Sequence, residues 1–118
     1  MKVLIVDDSA FMRGILKNII LSMGIHATEI EEAGDGIEAI RKYHQNDPDL
    51  VLLDIIMPEK DGVAVLKEIG NLVKVIVISA AGQEKLIEEA KALGAKDFII
   101  KPFDSNKVIE TIKSITAK

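Results

Sequence analysis

Cysteine is absent from the 118-residue sequence, which excludes disulfides, a thiolate nucleophile and a zinc site with thiolate ligands. The sequence also has no internal repeat, no low-complexity segment and no recognisable linker. A chain of this length is long enough to bury one hydrophobic core without covalent or metal cross-links. We therefore expect a single domain over residues 1–118, in a setting compatible with a reducing cytoplasm.

An excess of basic residues is missing as well. Lys and Arg number 15 against 19 Asp and Glu, which gives a net charge of −4. Nucleic-acid binders usually concentrate Lys and Arg on one face, so we expect no nucleic-acid partner. Apolar runs such as residues 75–81 are far shorter than the ~20 residues that span a bilayer. We expect a cytoplasmic protein with no direct membrane contact.

Five short β-like runs alternate with five helix-like segments along the chain. Four of the runs are continuously apolar and rich in Val, Ile or Leu, which is typical of strands covered on both faces of a parallel sheet. The second run is polar and is expected to lie near an edge. The predicted strands are residues 2–7, 28–32, 50–54, 73–79 and 97–101. Such an alternation predicts an α/β fold with right-handed crossovers and helices on both faces of one sheet.

The helix-like segments carry start and stop signals. Ser9, Asp35 and Asp61 are expected at helix N-termini, and the glycines at 24, 70 and 94 at helix ends. The first helix carries an apolar stripe with helical spacing at Met12, Ile15, Leu16, Ile19 and Met23. The first and third helices are predicted to follow Ser9 and Asp61, and the second to begin at residues 35–36. The fourth is predicted to begin near residue 83 and the fifth near residue 105, and the last continues to the C-terminus.

Four of the predicted strands end in residues with useful chemistry, and ligand sites in parallel sheets form at these carboxyl ends. Three carboxylates brought together repel one another, and a divalent cation relieves that repulsion. Magnesium suits such a site because it prefers oxygen ligands and often links carboxylates to a phosphate. A lysine beside them supplies a positive charge for a carboxylate or a phosphoryl oxygen. The strand-end residues are Asp7 and Asp8, Asp54, Ser79 and Lys101.

Each of these residues alone has an ordinary structural explanation. Asp54 and Asp8 are of a type that forms turns and caps helices. Lysine side chains are mostly exposed, so Lys101 considered alone is explained as an ordinary solvated side chain. Taken together the strand ends are harder to explain that way. On the residues alone, the pattern predicts an anion or metal site on an α/β fold, without deciding between the two.

Five motifs, in this order, resemble those of response-regulator receiver domains: VLIVDDS at residues 3–9, DIIMP at 54–58, DG at 61–62, SA at 79–80 and KPF at 101–103. The stretch DDSAFMR at residues 7–13 resembles the chemotaxis members of that family in particular. The resemblance covers the whole chain. It implies a flavodoxin-like, three-layer fold with a five-stranded parallel sheet in the order 2-1-3-4-5. We expect one receiver domain without an output domain.

The resemblance implies roles for residues at matching positions. Asp54 is the expected phosphoacceptor, with Mg²⁺ bound directly by Asp8 and Asp54 and through water by Asp7. The backbone carbonyl of Ile56 is a further expected ligand. Phosphoryl oxygens are expected to contact the Ser79 hydroxyl, Ala80 N–H and Lys101, so that Asp54, Ser79 and Lys101 together carry out phosphoryl transfer. The bond between Lys101 and Pro102 is expected to be cis.

Phe98 stands three residues before Lys101, where the family places a switch aromatic that follows the Ser79 hydroxyl inward on phosphorylation. An ordinary core aromatic is the alternative interpretation. The sequence departs from the family at Ile56 and Ala81, which are often polar there. Because neither side chain orients an attacking water, we expect slow dephosphorylation.

The resemblance also implies partners. They are a histidine kinase of the chemotaxis type and an output protein that docks on the face formed by the fourth helix, fifth strand and fifth helix. Glu84, Lys85, Glu88 and Glu89 are expected to face water on the fourth helix, either as a patch for a basic partner or as a plain solvated face. We expect a monomer.

Three other functions compete with a stand-alone chemotaxis-type receiver. A phosphorelay intermediate would use the same chemistry. A magnesium-dependent phosphohydrolase with an aspartyl phosphate would need an acid at the position of Ile56. A flavodoxin-like cofactor binder would need a phosphate-binding loop after the first strand, where the sequence is acidic and lacks glycine. We expect a signalling switch rather than an enzyme.

Overall fold

A computed structural model describes residues 1–57 and 61–117. Strands and helices alternate, and a short 3₁₀ turn at Ala27–Glu29 precedes the second strand. The strands are β1 Val3–Val6, β2 Ile30–Ala33, β3 Leu50–Leu53, β4 Lys74–Ser79 and β5 Asp97–Ile100. The helices are α1 Ala10–Ser22, α2 Gly36–Asn46, α3 Gly62–Ile69, α4 Glu84–Ala92 and α5 Ser105–Thr116.

The five strands form one parallel sheet in the order β2-β1-β3-β4-β5. This confirms the predicted fold class and the strand order that the family resemblance implies. β1 pairs with β2 and β3 in matching register, so that Val6 lies between Ala33 and Leu53. The carboxyl ends of the five strands consequently lie at the same end of the sheet.

Alternate residues of the central strands point to two apolar layers, as expected for side chains of period two. Leu4, Val6, Val51 and Leu53 face the layer that α2, α3 and α4 cover. Val3, Ile5, Leu50 and Leu52 face the layer that α1 and α5 cover. Because both faces of β1 and β3 are buried, their sequences are continuously apolar.

Helix N-termini follow the predicted capping signals. The side chains of Ser9, Asp35 and Asp61 accept hydrogen bonds from the backbone N–H groups of Met12, Glu38 and Ala64. At the other ends, Gly24 and Gly94 adopt φ angles of 89° and 111°, a region that glycine enters without strain. The predicted starts of α1, α2 and α3 are therefore confirmed.

All five strands lie within two residues of their predicted bounds, and two of them differ from the prediction in a way that has a physical reason. Residues 28–32 were predicted as the second strand, but β2 starts two residues later because Ala27–Glu29 forms the 3₁₀ turn. β2 lies at an edge, as its polar sequence predicted. The fifth run was predicted to be covered on both faces, yet Ile100 is 47% exposed, because β5 forms the opposite edge.

Among residues 1–57 and 61–117, no helix combines the length and the apolar character that crossing a membrane requires.

Candidate functional site

Backbone hydrogen bonds bring three charged residues to the carboxyl end of the sheet. Each bond continues the hydrogen-bonding pattern one residue past the carboxyl end of a strand. They run from Asp7 N–H to Ala33 O (3.1 Å), from Asp54 N–H to Val6 O (2.9 Å) and from Lys101 N–H to Ser79 O (2.9 Å). Pairing within the sheet therefore fixes the backbone positions of Asp7, Asp54 and Lys101, independently of any contact between their side chains.

The Lys101 ammonium links two buried carboxylates. Its Nζ lies 2.7 Å from Asp7 Oδ2 and 3.1 Å from Asp54 Oδ2. Asp7 is 1% exposed and Asp54 is 7% exposed, so both charges depend on partners for stabilisation. Burial alone would lower the pKa of Lys101, but its hydrogen bonds to Asp7 and Asp54 and their charges outweigh burial and raise this pKa.

Asp8 completes a group of three acids. One carboxylate oxygen from each of Asp7, Asp8 and Asp54 lies within 4.8 Å of the others. Asp8 is exposed, so the group opens to solvent on one side. Three carboxylates and one ammonium leave two negative charges, which one divalent cation would neutralise. The oxygen-only donor set and the open side fit Mg²⁺, which retains waters when it binds.

Backbone N–H groups hold the second oxygens of the two buried acids. Ile56 N–H donates to Asp54 Oδ1 at 3.0 Å, and Ser9 N–H donates to Asp7 Oδ1 at 2.9 Å. Each buried carboxylate thus accepts one backbone and one Lys101 hydrogen bond. The Ile56 side chain is 58% exposed and contributes no polar group. Pro58, the last residue of the DIIMP motif, lies outside the described residues.

Ser79 lies at the carboxyl end of β4 but does not join the charged contacts. It is fully buried, and its Oγ accepts a 3.3 Å hydrogen bond from Ala81 N–H. Ala80 is exposed next to it. The predicted convergence is confirmed for Asp7, Asp54 and Lys101, and the phosphoryl-binding roles of Ser79 and Ala80 stay predictions. The peptide bond between Lys101 and Pro102 is cis, as the resemblance implies.

Phe98 is 9% exposed and belongs to the apolar layer under α4, together with Val77 and Ala90. This buried position agrees with both interpretations made from the sequence, an ordinary core aromatic and a switch residue in its inward position. The switch role of Phe98 therefore stays a prediction.

The fourth helix has the two faces that its sequence predicted. Leu86, Ile87 and Leu93 are partly buried against the core and Ala90 is buried. The outward residues Glu84, Lys85, Glu88 and Glu89 are all exposed. Their exposure makes them available to a partner, but docking there stays a prediction.

Sequence reasoning missed two supports of the acids. The first is Arg13, whose guanidinium bonds the Asp7 carbonyl oxygen and Glu32, and whose spacing from these residues gave no signal. The second is Gly62, which packs on the peptide that follows Asp54. A Cβ there would lie 2.2 Å from Ile55 Cα and 2.4 Å from Asp54 O. The DG motif pointed to Gly62 without revealing this close approach.

Gly62→Ala should destabilise the fold, because the new methyl group would collide with backbone atoms rather than with a flexible side chain. Overpacking of this kind costs about 1–3 kcal/mol. Chemical denaturation measures the free energy of unfolding.

The matched control is Gly14→Ala, in the interior of α1, where an added Cβ meets no atom within 4 Å apart from the neighbouring backbone of its own helix. Alanine at a helix interior is favoured over glycine by roughly 0.5–1 kcal/mol, so this variant should be stabilised. Equal effects of the two substitutions would contradict the close packing at Gly62.

Comparison with known families places these residues in context. The sequence model of the response regulator receiver domain matches residues 3–113. That span includes Asp7, Asp8, Asp54 and Lys101, so the match covers all the charged residues of the site.

Individual relatives are similar over nearly the whole chain. The chemotaxis protein CheY of Thermotoga maritima is 46% identical over 118 residues, covering 98% of this chain and 97% of the relative. CheY of Bacillus subtilis is 45% identical over 114 residues, covering 94% and 93%. A chain in the crystal structure of a CheX-CheY-BeF3-Mg²⁺ complex from Borrelia burgdorferi is 42% identical, with a TM-score of 0.91, covering 100% of this chain and 90% of that one.

Proposed function

The chain belongs to the response regulator receiver domain family, and on that premise we propose that it is a phosphoryl-accepting switch in which Asp54 receives a phosphoryl group from a histidine kinase. The observation that carries the proposal is the pairing of the buried Asp54 carboxylate with Lys101 at 3.1 Å, inside a group of three acids. This geometry supplies a nucleophile, a fixed cation and a cation site together.

In the proposed step, an Asp54 carboxylate oxygen attacks phosphorus. As the new O–P bond forms, the P–N bond of a phosphohistidine breaks, and the imidazole leaves with the electron pair. The reaction is mostly a matter of positioning and charge stabilisation. The backbone N–H of Ile56 and the ammonium of Lys101 hold Asp54 in one orientation, and the same ammonium is close enough to attract phosphoryl oxygens. Ser79 and Ala80 N–H are the further proposed contacts.

Asp7, Asp8 and Asp54 are the side chains that would hold Mg²⁺, with the Ile56 carbonyl as a further ligand. The ion would neutralise carboxylate and phosphoryl charge. Support comes from the mutual distances of the three acids and from the two negative charges that Lys101 leaves uncompensated.

Chemotaxis signalling is the proposed role, through phosphorylation-dependent binding of an output protein in the motility apparatus. Its support is the likeness to proteins named CheY over 94–98% of this chain. A stand-alone domain belongs to the same proposal, and the likeness to these relatives extends over 93% and 97% of their own length. A monomer in the cytoplasm belongs to the same proposal.

A phosphorelay intermediate is the second candidate, because Asp54 would accept a phosphoryl group in the same way. A phosphohydrolase is disfavoured by the residue two positions after Asp54. Ile56 is apolar and 58% exposed, so no acid stands there to protonate a leaving group.

The test is incubation of the chain with acetyl phosphate and Mg²⁺, followed by intact mass and peptide mapping. One phosphoryl group should appear on the peptide that contains Asp54, and removal of Mg²⁺ by chelation should prevent it. A chain that stays unmodified, or that is modified elsewhere, would overturn the proposal.

The exposed face of α4 is the proposed docking surface for a basic output partner. Glu88→Lys or Glu89→Lys should slow association with the output protein roughly tenfold at low salt, through lost electrostatic steering. Phosphorylation by acetyl phosphate should be unchanged. Surface plasmon resonance measures the association rate, and the mass assay measures phosphorylation. Lys85→Glu, on the same helix, is the matched control and should not weaken binding; equal losses in all three variants would reject this surface.

A further inference from the structure

Arg13 is tied to the site through the backbone rather than through a carboxylate of the acid group. From α1, its Nη1 donates to the Asp7 carbonyl oxygen at 2.6 Å and its Nε donates to Glu32 Oε1 at 3.0 Å. The Arg13 side chain is 19% exposed, so these bonds are partly shielded from water. The guanidinium therefore connects α1, the end of β1 and the edge strand β2.

Asp7 is held at four atoms. Its N–H donates to Ala33 O, its Oδ1 accepts from Ser9 N–H, its Oδ2 accepts from Lys101, and its carbonyl oxygen accepts from Arg13. Only the Arg13 bond engages the peptide that leads to Asp8. Two of the four contacts therefore act on the turn after β1: the Ser9 N–H bond to Asp7 Oδ1 spans Asp8, and the Arg13 bond holds the peptide that leads to Asp8.

Asp8 differs from Asp7 because no contact holds its side chain in the described parts of the chain. Its carboxylate is exposed and makes no hydrogen bond or ion pair with any residue in the described parts of the chain. The backbone that carries Asp8 therefore sets the range of positions that this carboxylate can reach. A rigid backbone keeps this oxygen close to those of Asp7 and Asp54, within the 4.8 Å that the three acids share.

We propose that Arg13 is a positioning residue for the cation of this site: through the Asp7 carbonyl it fixes the turn that presents Asp8, and Glu32 fixes Arg13. The inference rests on the proposed function, in which Asp7, Asp8 and Asp54 hold Mg²⁺. It adds to that function two residues that touch neither the cation nor the phosphoryl group.

The role requires the planar shape of arginine and not only its charge. A guanidinium offers several donors in a fixed fork, so one side chain reaches both a carbonyl oxygen and a carboxylate. The ammonium of lysine is a single point on a flexible stem. Loss of positive charge near the acids would by itself strengthen Mg²⁺ binding, since carboxylates attract the cation more when fewer positive charges compete. Arg13→Lys preserves the charge and removes the fork, which separates the two effects.

The experiment measures Mg²⁺ affinity by isothermal titration calorimetry without a phosphoryl donor, with thermal melts to verify folding. Arg13→Lys should weaken Mg²⁺ binding about tenfold, as loss of a residue that orients a ligand commonly does. Glu32→Gln should weaken it by less. Because both act through one network, the double variant should be no weaker than Arg13→Lys alone. Arg41→Lys, an exposed arginine of α2 paired with Glu38, is the control and should bind Mg²⁺ like the wild type.

Wild-type affinity in both Arg13→Lys and Glu32→Gln would overturn the inference while leaving the proposed function intact. Additive losses in the double variant would also overturn it, because they would show that the two residues act separately. If Arg13→Lys fails to fold, Glu32→Gln carries the test, since it leaves the arginine in place and removes only its charged acceptor. A wild-type chain that neither binds Mg²⁺ nor becomes phosphorylated would instead overturn the proposed function itself.

Discussion

Asp54→Asn should gain no phosphoryl group from acetyl phosphate and Mg²⁺, under conditions in which the wild-type chain gains one. An amide oxygen is a far weaker nucleophile than a carboxylate, so the covalent step is lost. The substitution also removes one of the three acids proposed to hold Mg²⁺ and should weaken Mg²⁺ binding. Intact mass measures the first effect and calorimetry the second.

Folding should survive the Asp54→Asn substitution. Asparagine retains an oxygen that accepts the Ile56 N–H, and Lys101 keeps its 2.7 Å contact with Asp7. A thermal melt close to that of the wild type would show that loss of phosphorylation does not come from unfolding.

Asp61→Asn is the matched control, because it makes the same chemical change seven residues further along the chain. Asp61 is exposed, and its carboxylate caps α3 through Ala64 N–H at 2.9 Å. Asparagine caps helices about as well as aspartate, so stability and phosphorylation should both be unchanged. A phosphoryl group that persists on Asp54→Asn, or one that disappears from Asp61→Asn, would place the acceptor elsewhere.

The central sheet could be predicted from the sequence because its residues are governed by one strong effect. β1 and β3 are buried on both faces, so every position had to be apolar. At the edges that constraint is weaker. Residues 28–29 carry polar side chains that fit either a strand or a 3₁₀ turn, and Ile100 is apolar although it is 47% exposed. Local composition does not determine the backbone conformation or the solvent exposure of such positions.

The candidate site could be predicted only as far as strand ends determine it. Asp7, Asp54 and Lys101 lie close together because the carboxyl ends of parallel strands lie at the same end of the sheet, and the sequence showed where those strands end. The distances within the site depend on side-chain geometry instead. The sequence suggested that Lys101 pairs with a carboxylate or a phosphoryl oxygen, but it did not indicate that the shorter contact of Lys101 is with Asp7, 94 residues away. The Arg13 bond to the Asp7 carbonyl oxygen could not be predicted from residue types, because every residue has a backbone carbonyl.

Lys101→Met should cause the largest loss of stability among the single substitutions considered for this site. Methionine matches much of the lysine stem but leaves the buried carboxylates of Asp7 and Asp54 without their common cation. Removing one partner from a buried ion pair costs about 3–5 kcal/mol. Chemical denaturation without Mg²⁺ measures this loss. Lys96→Met is the control: Lys96 is exposed at the opposite end of β5, so its replacement should change stability little.

Mg²⁺ should restore part of the stability of Lys101→Met. A ligand that binds only the folded state stabilises it by about 2.7 kcal/mol at a hundredfold excess over its Kd. The variant site carries one positive charge fewer and should attract the ion at least as strongly as the wild type does. Its rate of phosphorylation should nevertheless be lower, because the ammonium close to Asp54 is lost.

The difference in stability between wild type and Lys101→Met should also depend on pH in one direction. The pKa of Lys101 is raised in the folded protein, since its bonds to Asp7 and Asp54 outweigh the lowering effect of burial. A group with a raised folded pKa contributes its full stability below its unfolded pKa, which for lysine is about 10.4. The difference should be constant through the neutral range and shrink as the pH rises through the folded pKa, where the wild type loses the same charge. A difference that instead grows at alkaline pH would contradict the ion pairing of Lys101 with the two acids.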